Sequence, residues 1–172
     1  ANAIYEANYH LGMVTITKDK KEVQAIKYGD GAKAHFVDVD PKTNAVFVCD
    51  LGNDTVHKYI DLKEVASYTG AKGMGPRHIA FHPTLDVLYV FGELNKTIDV
   101  VKDSESFTHI QTLSTLPEGS FESSGAALRI SADGNFVYAS NRGHDSIAIF
   151  KVNSDGSLAF LETVSTEGEH PR

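Results

Sequence analysis

The stretch "PRHIAFHPTLDVLYVFGELNKTIDVV" (residues 76–101) holds two β-branched and aromatic runs separated by a His-Pro turn, then a polar loop and a third run. Alone it reads as a hairpin followed by another strand. Its weight comes from two segments that superimpose on it without gaps, "AHFVDVDPKTNAVFVCDLGNDTVHKYI" (34–60) and "AALRISADGNFVYASNRGHDSIAIF" (126–150). Phe47, Tyr89 and Tyr138 are equivalent, spaced by 42 and then 49 residues, as are Thr55, Thr97 and Ser146, and Val56, Ile98 and Ile147. The first spacing, applied backwards, sets Tyr5 against Phe47. "IYEANYHLGMVTIT" (4–17) is then the later part of an earlier copy, and "HPR" (170–172) matches the start of a further one.

Each repeat reads as four short strands. Asp-Pro, His-Pro or Asp-Gly turns separate the first two; a third follows the Asn/Gly/Asp-rich loop, and a fourth follows a polar turn such as "KDSESF" (102–107) or "NSDGS" (153–157). "DLKEVASY" (61–68) is the best helical rival, and it is short. Four antiparallel strands at this period define a β-propeller blade, whereas a β-helix would need a shorter period and a sandwich would not repeat its own sequence. The expected fold is therefore all-β, a β-propeller with about three and a half blades in this chain. The blades divide as 1–33 (the end of one), 34–75, 76–125, 126–168, and 169–172 (the start of the next). An incomplete blade at each end predicts unpaired edges, and so self-association or pairing with the missing part of the ring.

Composition narrows the function. The 172 residues are 41% hydrophobic and 23% charged, which is globular rather than disordered. A net charge of −7 disfavours nucleic acid or an anionic membrane as partner. No apolar run approaches the roughly 18 residues a membrane span requires. The single cysteine, Cys49, cannot form an internal disulfide and sits in the apolar run "AVFVCD" as a core residue, which fits a reducing, cytoplasmic setting.

Meander geometry then selects candidate residues. The loop entering a blade's first strand and the loop between its second and third strands lie on the same face. Arg77 starts a first strand and Glu93 lies in the second-to-third loop of the same blade. His35 is equivalent to Arg77 in the preceding blade, Arg142 to Glu93 in the following one, and Arg172 to Arg77 again. Five ionisable residues are thus expected at one channel mouth. His82 falls on the opposite face and is expected to support a turn; His57, Lys58 and His109 are expected on the surface.

At "GPRHIAFHP", "GELNKTIDV" and "LRISADGNFVYASNRGHDSIAIF" the sequence resembles the β-propeller lactonase family, which includes the bacterial cytoplasmic 6-phosphogluconolactonase type and, more distantly, a fungal carboxymuconate lactonising enzyme. The resemblance runs over essentially the whole chain and implies a seven-bladed ring about twice this length. It also implies a site made of His35, Arg77, Glu93 and Arg142, the residues that blade geometry selects. Two positions depart from the family pattern: Gly92, where an asparagine is common, and Ala127, where a carboxylate is frequent.

The function this implies is hydrolysis of a sugar lactone, most concretely 6-phosphogluconolactone, a small anionic substrate. Lactone opening needs a base to activate water and a cation to stabilise the oxyanion, and arginine's planar fork suits both oxyanion and phosphate. Glu93 or His35 is the candidate base. Close arginines favour an ionised, weakly basic Glu93, which tips the choice towards His35. His78, Asn141, His144 and Arg172 are candidate substrate contacts. No metal or other cofactor is expected, since the histidines form no dense ligand cluster. The alternatives are a non-catalytic propeller that binds a partner through the same face, and a cycloisomerase acting on a muconate-type dicarboxylate.

Overall fold

Why this chain makes strands is visible at its turns. Asp40 accepts from Lys42 N at 3.0 Å and from the Thr43 hydroxyl at 2.6 Å. His82, buried at the equivalent position, accepts through Nδ1 from Thr84 N at 3.2 Å and Leu85 N at 2.9 Å. Ser131 takes the Phe136 N–H at 3.0 Å. Each side chain supplies an acceptor that the reversing backbone lacks, so the chain doubles back where the first and second strands of a repeat meet. His82 therefore has the turn role its position suggested.

The computed structural model describes residues 3–104, 106–118 and 122–172; Glu105, inside the expected "KDSESF" turn, lies outside them. Fifteen strands and no helix form among the described residues, so none is long and apolar enough to cross a membrane. The chain divides into two compact units, Ala1–Pro76 and Arg77–Arg172. In the first, β1 (Ala3–Asn8), β2 (Met13–Lys18) and β3 (Lys21–Lys27) form a three-stranded sheet, and β4 (Ala34–Val39), β5 (Val46–Asp50), β6 (Thr55–Ile60) and β7 (Lys63–Thr69) a four-stranded one. The second holds two four-stranded sheets. One is β8 (Pro76–Phe81, starting at the boundary), β9 (Val87–Gly92), β10 (Thr97–Asp103) and β11 (Phe107–Ser114). The other is β12 (Ser124–Ile130), β13 (Phe136–Arg142), β14 (Ser146–Val152) and β15 (Leu158–Ser165). All four sheets keep chain order, the meander of a partial β-propeller.

The repeat is exact in register. Phe47 faces Lys58, Tyr89 faces Val100 and Tyr138 faces Ile149, so the sequence spacings carry strand pairing with them. A bulge interrupts the third–fourth strand pair at one repeat position throughout: Ile16/Thr17, Lys58/Tyr59, Val100/Val101 and Ile149/Phe150. Such bulges sharpen strand twist, and repeating one gives every sheet the same curvature. The residue before each third strand is left-handed: Gly12 (φ 56°), Asp54 (54°), Lys96 (57°) and Asp145 (51°).

"DLKEVASY", the helical rival set aside in favour of strands, is not helical: Asp61 and Leu62, both at positive φ (47° and 64°), form a two-residue hairpin turn into β7. One expectation needs correction. His57 is not a surface residue; its side chain is 15% exposed, stacked on Tyr28 with ring centroids 4.5 Å apart and bonded to Glu64 at 2.9 Å. Lys58 is half-buried, with Nζ 5.6 Å from the Phe47 ring centre, while His109 is about half exposed (48%).

The core of the second unit lies between its two sheets, where Tyr89, Phe91, Ile98 and Val100 meet Leu128, Val137, Ala139 and Phe150. Polar ties fix the sheets in place. Gln111 bonds both backbone groups of Leu158 (3.0 and 2.8 Å), and the buried Tyr89 hydroxyl donates to Gly156 O at 3.0 Å. Burial raises the Tyr89 hydroxyl above the usual phenol range, keeping it a donor. Tyr89→Phe would leave that carbonyl unpaired, and is expected to lower unfolding free energy by about 1–2 kcal/mol in a urea titration with unchanged slope.

Candidate active site

Arg77 is the second residue of β8, Glu93 directly follows β9, and Arg142 ends β13. The three side chains meet. Arg77 Nε donates to Glu93 Oε2 at 2.6 Å, and Arg142 Nη2 lies 3.2 Å from Glu93 Oε1. Their side chains are 9%, 21% and 16% exposed, in the order Arg77, Glu93, Arg142. One carboxylate therefore spans two guanidiniums, each oxygen taking one.

Main-chain oxygens complete the arrangement. Arg77 Nη1 donates to Ala126 O at 2.8 Å and Arg142 Nη2 to Gly125 O at 2.8 Å. The Gly125 N–H donates to the Glu93 carbonyl at 2.8 Å, so β12 touches all three residues through its backbone. That approach requires glycine, because a Cβ on Gly125 would lie 2.7 Å from both Gly92 O and the Phe91 ring. Burial lowers the Arg77 pKa below its ordinary value against the opposing pull of Glu93, and the charges of Arg142 and Arg172 push the same way as burial. Arginine stays cationic under such pressure.

Arg77 Nη1 also lies 3.3 Å from His78 Nε2. A guanidinium can only donate, so in this contact Nε2 is the acceptor. Arg142 Nε is buried with no partner among the described residues. Beside Arg142 opens a cavity of about 350 Å³, lined by Glu122, Ser123, Ser124, Gly143 and His170 as well. Among the described residues no three His, Cys, Asp or Glu side chains are grouped to hold a metal ion.

The other expected residues are placed as follows. Arg172 is exposed, and its charge is felt at Arg77. His144 pairs through Nδ1 with the Ser146 hydroxyl at 2.7 Å. Asn141, expected as a substrate contact, is fully buried: its Oδ1 accepts from the Thr115 hydroxyl at 2.6 Å and its Nδ2 donates to Thr115 O at 2.9 Å. Its amide is thus occupied inside the frame that carries Arg142. His35 belongs to the first unit, on β4, half-buried with its ring edge-on to Tyr9 at 5.7 Å. The backbone oxygens of Gly125 and Ala126, and the cavity-lining His170, were not anticipated; the lone glycine opening a strand was the only sequence signal for the former.

An all-β chain of repeated four-stranded blades, with arginines and a carboxylate gathered at the strand ends, belongs to the seven-bladed β-propeller lactonase family, whose model matches residues 1–172. The 6-phosphogluconolactonase of Bacillus subtilis is 38% identical over 98% of this chain and 55% of its own length. A crystal structure of a Lactobacillus plantarum protein superimposes with a TM-score of 0.94 at 33% identity, over 99% of this chain and 56% of that one. The periplasmic gluconolactonase of Pseudomonas aeruginosa superimposes with a TM-score of 0.86 at 26% identity, with the same coverage. The chain thus spans about half the length of the relatives it matches.

Gly125→Ala is expected to destabilise the protein by about 1–3 kcal/mol, because β12 must withdraw from Gly92 and Phe91. Thermal unfolding of that variant beside Ala126→Gly, which keeps the contact, checks it.

Proposed function

We propose that the full-length protein hydrolyses a sugar lactone, and that its substrate is 6-phospho-D-glucono-1,5-lactone, opened to 6-phosphogluconate of the pentose phosphate pathway. The observation that most supports this reading is the guanidinium pair braced on Glu93, in a chain of the lactonase family. An attacking water gives its proton to a base while its oxygen bonds the carbonyl carbon. The carbonyl electron pair moves onto oxygen, and the two arginines balance that charge. Collapse of the tetrahedral species breaks the bond to the ring oxygen, which leaves as a hydroxyl after recovering the proton from the base.

Glu93 has both oxygens on guanidiniums, which suits it to hold the cations in place. For the base, the sequence offers His35 on its near-neutral ordinary pKa alone. The phosphate on the exocyclic C6 would find positive charge at Arg172, with His78 and His144 as further contacts. Attraction of the anion is local to these groups, because the chain as a whole carries −7.

The test is lactone hydrolysis by the full-length protein, measured above the spontaneous rate. Arg77→Ala and Arg142→Ala are each expected to lower kcat/KM by about 10²–10³-fold. An unchanged rate in Arg77→Ala would overturn the assignment. Running the same assay with unphosphorylated gluconolactone decides the phosphate requirement, a question the Pseudomonas gluconolactonase makes specific.

A further inference from the structure

The pairing of β12 with β13 breaks at one place. Gly125 faces Asn141 and Leu128 faces Ala139, so Ala126 and Ala127 together oppose Ser140 alone. This is a β-bulge, two residues against one. In a regular strand successive carbonyls point to opposite edges, and consecutive residues cannot serve the same cluster. Here the consecutive carbonyls of Gly125 and Ala126 accept from Arg142 and Arg77, both at 2.8 Å, and the guanidiniums they hold share one carboxylate.

A bulge also leaves an N–H out of the ladder. That group, on Ala127, donates to the Ser140 hydroxyl at 2.9 Å, and Ser140 is 7% exposed. The pairing of β4 with β5 breaks at the equivalent place, at His35, yet the residue opposite is Cys49, which brings no hydroxyl. The serine is therefore not a general requirement of the blade. It occurs where the bulge carries the two arginines.

We infer that Ser140 is a positioning residue for the lactonase site: its hydroxyl holds the β12 bulge, and the bulge aims two adjacent carbonyls at Arg142 and Arg77. Ser140 touches neither guanidinium and acts through the backbone. The inference rests on the reading of the two arginines as catalytic groups.

The experiment uses the full-length protein with 6-phosphogluconolactone and four variants: Ser140→Ala, Ser140→Thr, Ser140→Val and Arg77→Ala. Threonine and valine have the same shape and differ only in the hydroxyl, so they decide the matter even if the alanine variant folds poorly. Ser140→Val and Ser140→Ala are expected to lose about 10–100-fold in kcat, the penalty for misplaced catalytic groups, with KM changed much less. Ser140→Thr is expected to recover most of the rate. Equal rates for the threonine and valine variants, or a loss no greater than the unfolded fraction seen by circular dichroism, would overturn the inference. If Arg77→Ala is inactive while Ser140→Val is normal, only the role of Ser140 falls. If Arg77→Ala is fully active, the site assignment falls and takes this inference with it.

Discussion

Two guanidiniums cannot lie side by side in a half-buried site unless something neutral or negative stands between them. Glu93 meets that constraint, giving one oxygen to Arg77 and the other to Arg142. The trio still carries one net positive charge, and a partly dehydrated site makes that charge felt more strongly than water would. An unpaired excess of this kind is what a developing oxyanion or a bound anion would meet. The strand ends, the glycine contact and the loop ties of the second unit all bear on holding this three-part arrangement at the distances observed.

The blade supplies the positions and the exceptions supply the chemistry. Register, bulge and left-handed turn recur at the same repeat positions, so a residue type placed at one blade coordinate arrives at a known place in the next. Function is written where the repeats differ. At the coordinate shared by Asp50, Gly92 and Asn141, the aspartate gathers the N–H groups of Lys33, Gly52 and Asn53, and the asparagine ties Thr115. Both are buried fasteners that reach back to the preceding blade, and Gly92 has no polar side chain to act as one.

Much of this was readable from the residues. Strand equivalence followed from aromatic and β-branched positions whose spacing the ladder reproduces, and the meeting of Arg77, Glu93 and Arg142 followed from the alternation of loops in a meander. What could not be read has a physical cause in each case. His57 looked like a polar strand position, and only packing shows Tyr28 stacked on it. The oxygens that hold the arginines belong to the backbone of Gly125 and Ala126, and a carbonyl has no letter in a sequence. Asn141 neighbours Arg142 in the chain and yet points inward, a consequence of strand alternation at the end of β13.

The turn before each third strand has one further consequence. Asp54 uses its carboxylate to clasp the N–H groups of Gly73 and Gly75, and Asp145 likewise holds that of His170, so each secures the segment leading to the next repeat. Lys96 stands at the same coordinate and has no acceptor on its side chain. The connection it would have clasped is also the longer one: eleven positions separate Thr115 from Ala126, against seven from Gly70 to Arg77. That connection contributes Glu122 and Ser123 to the rim of the cavity beside Arg142. Without that carboxylate, the length and composition of this loop are not tied to the repeat by the contact that Asp54 and Asp145 make in the other blades.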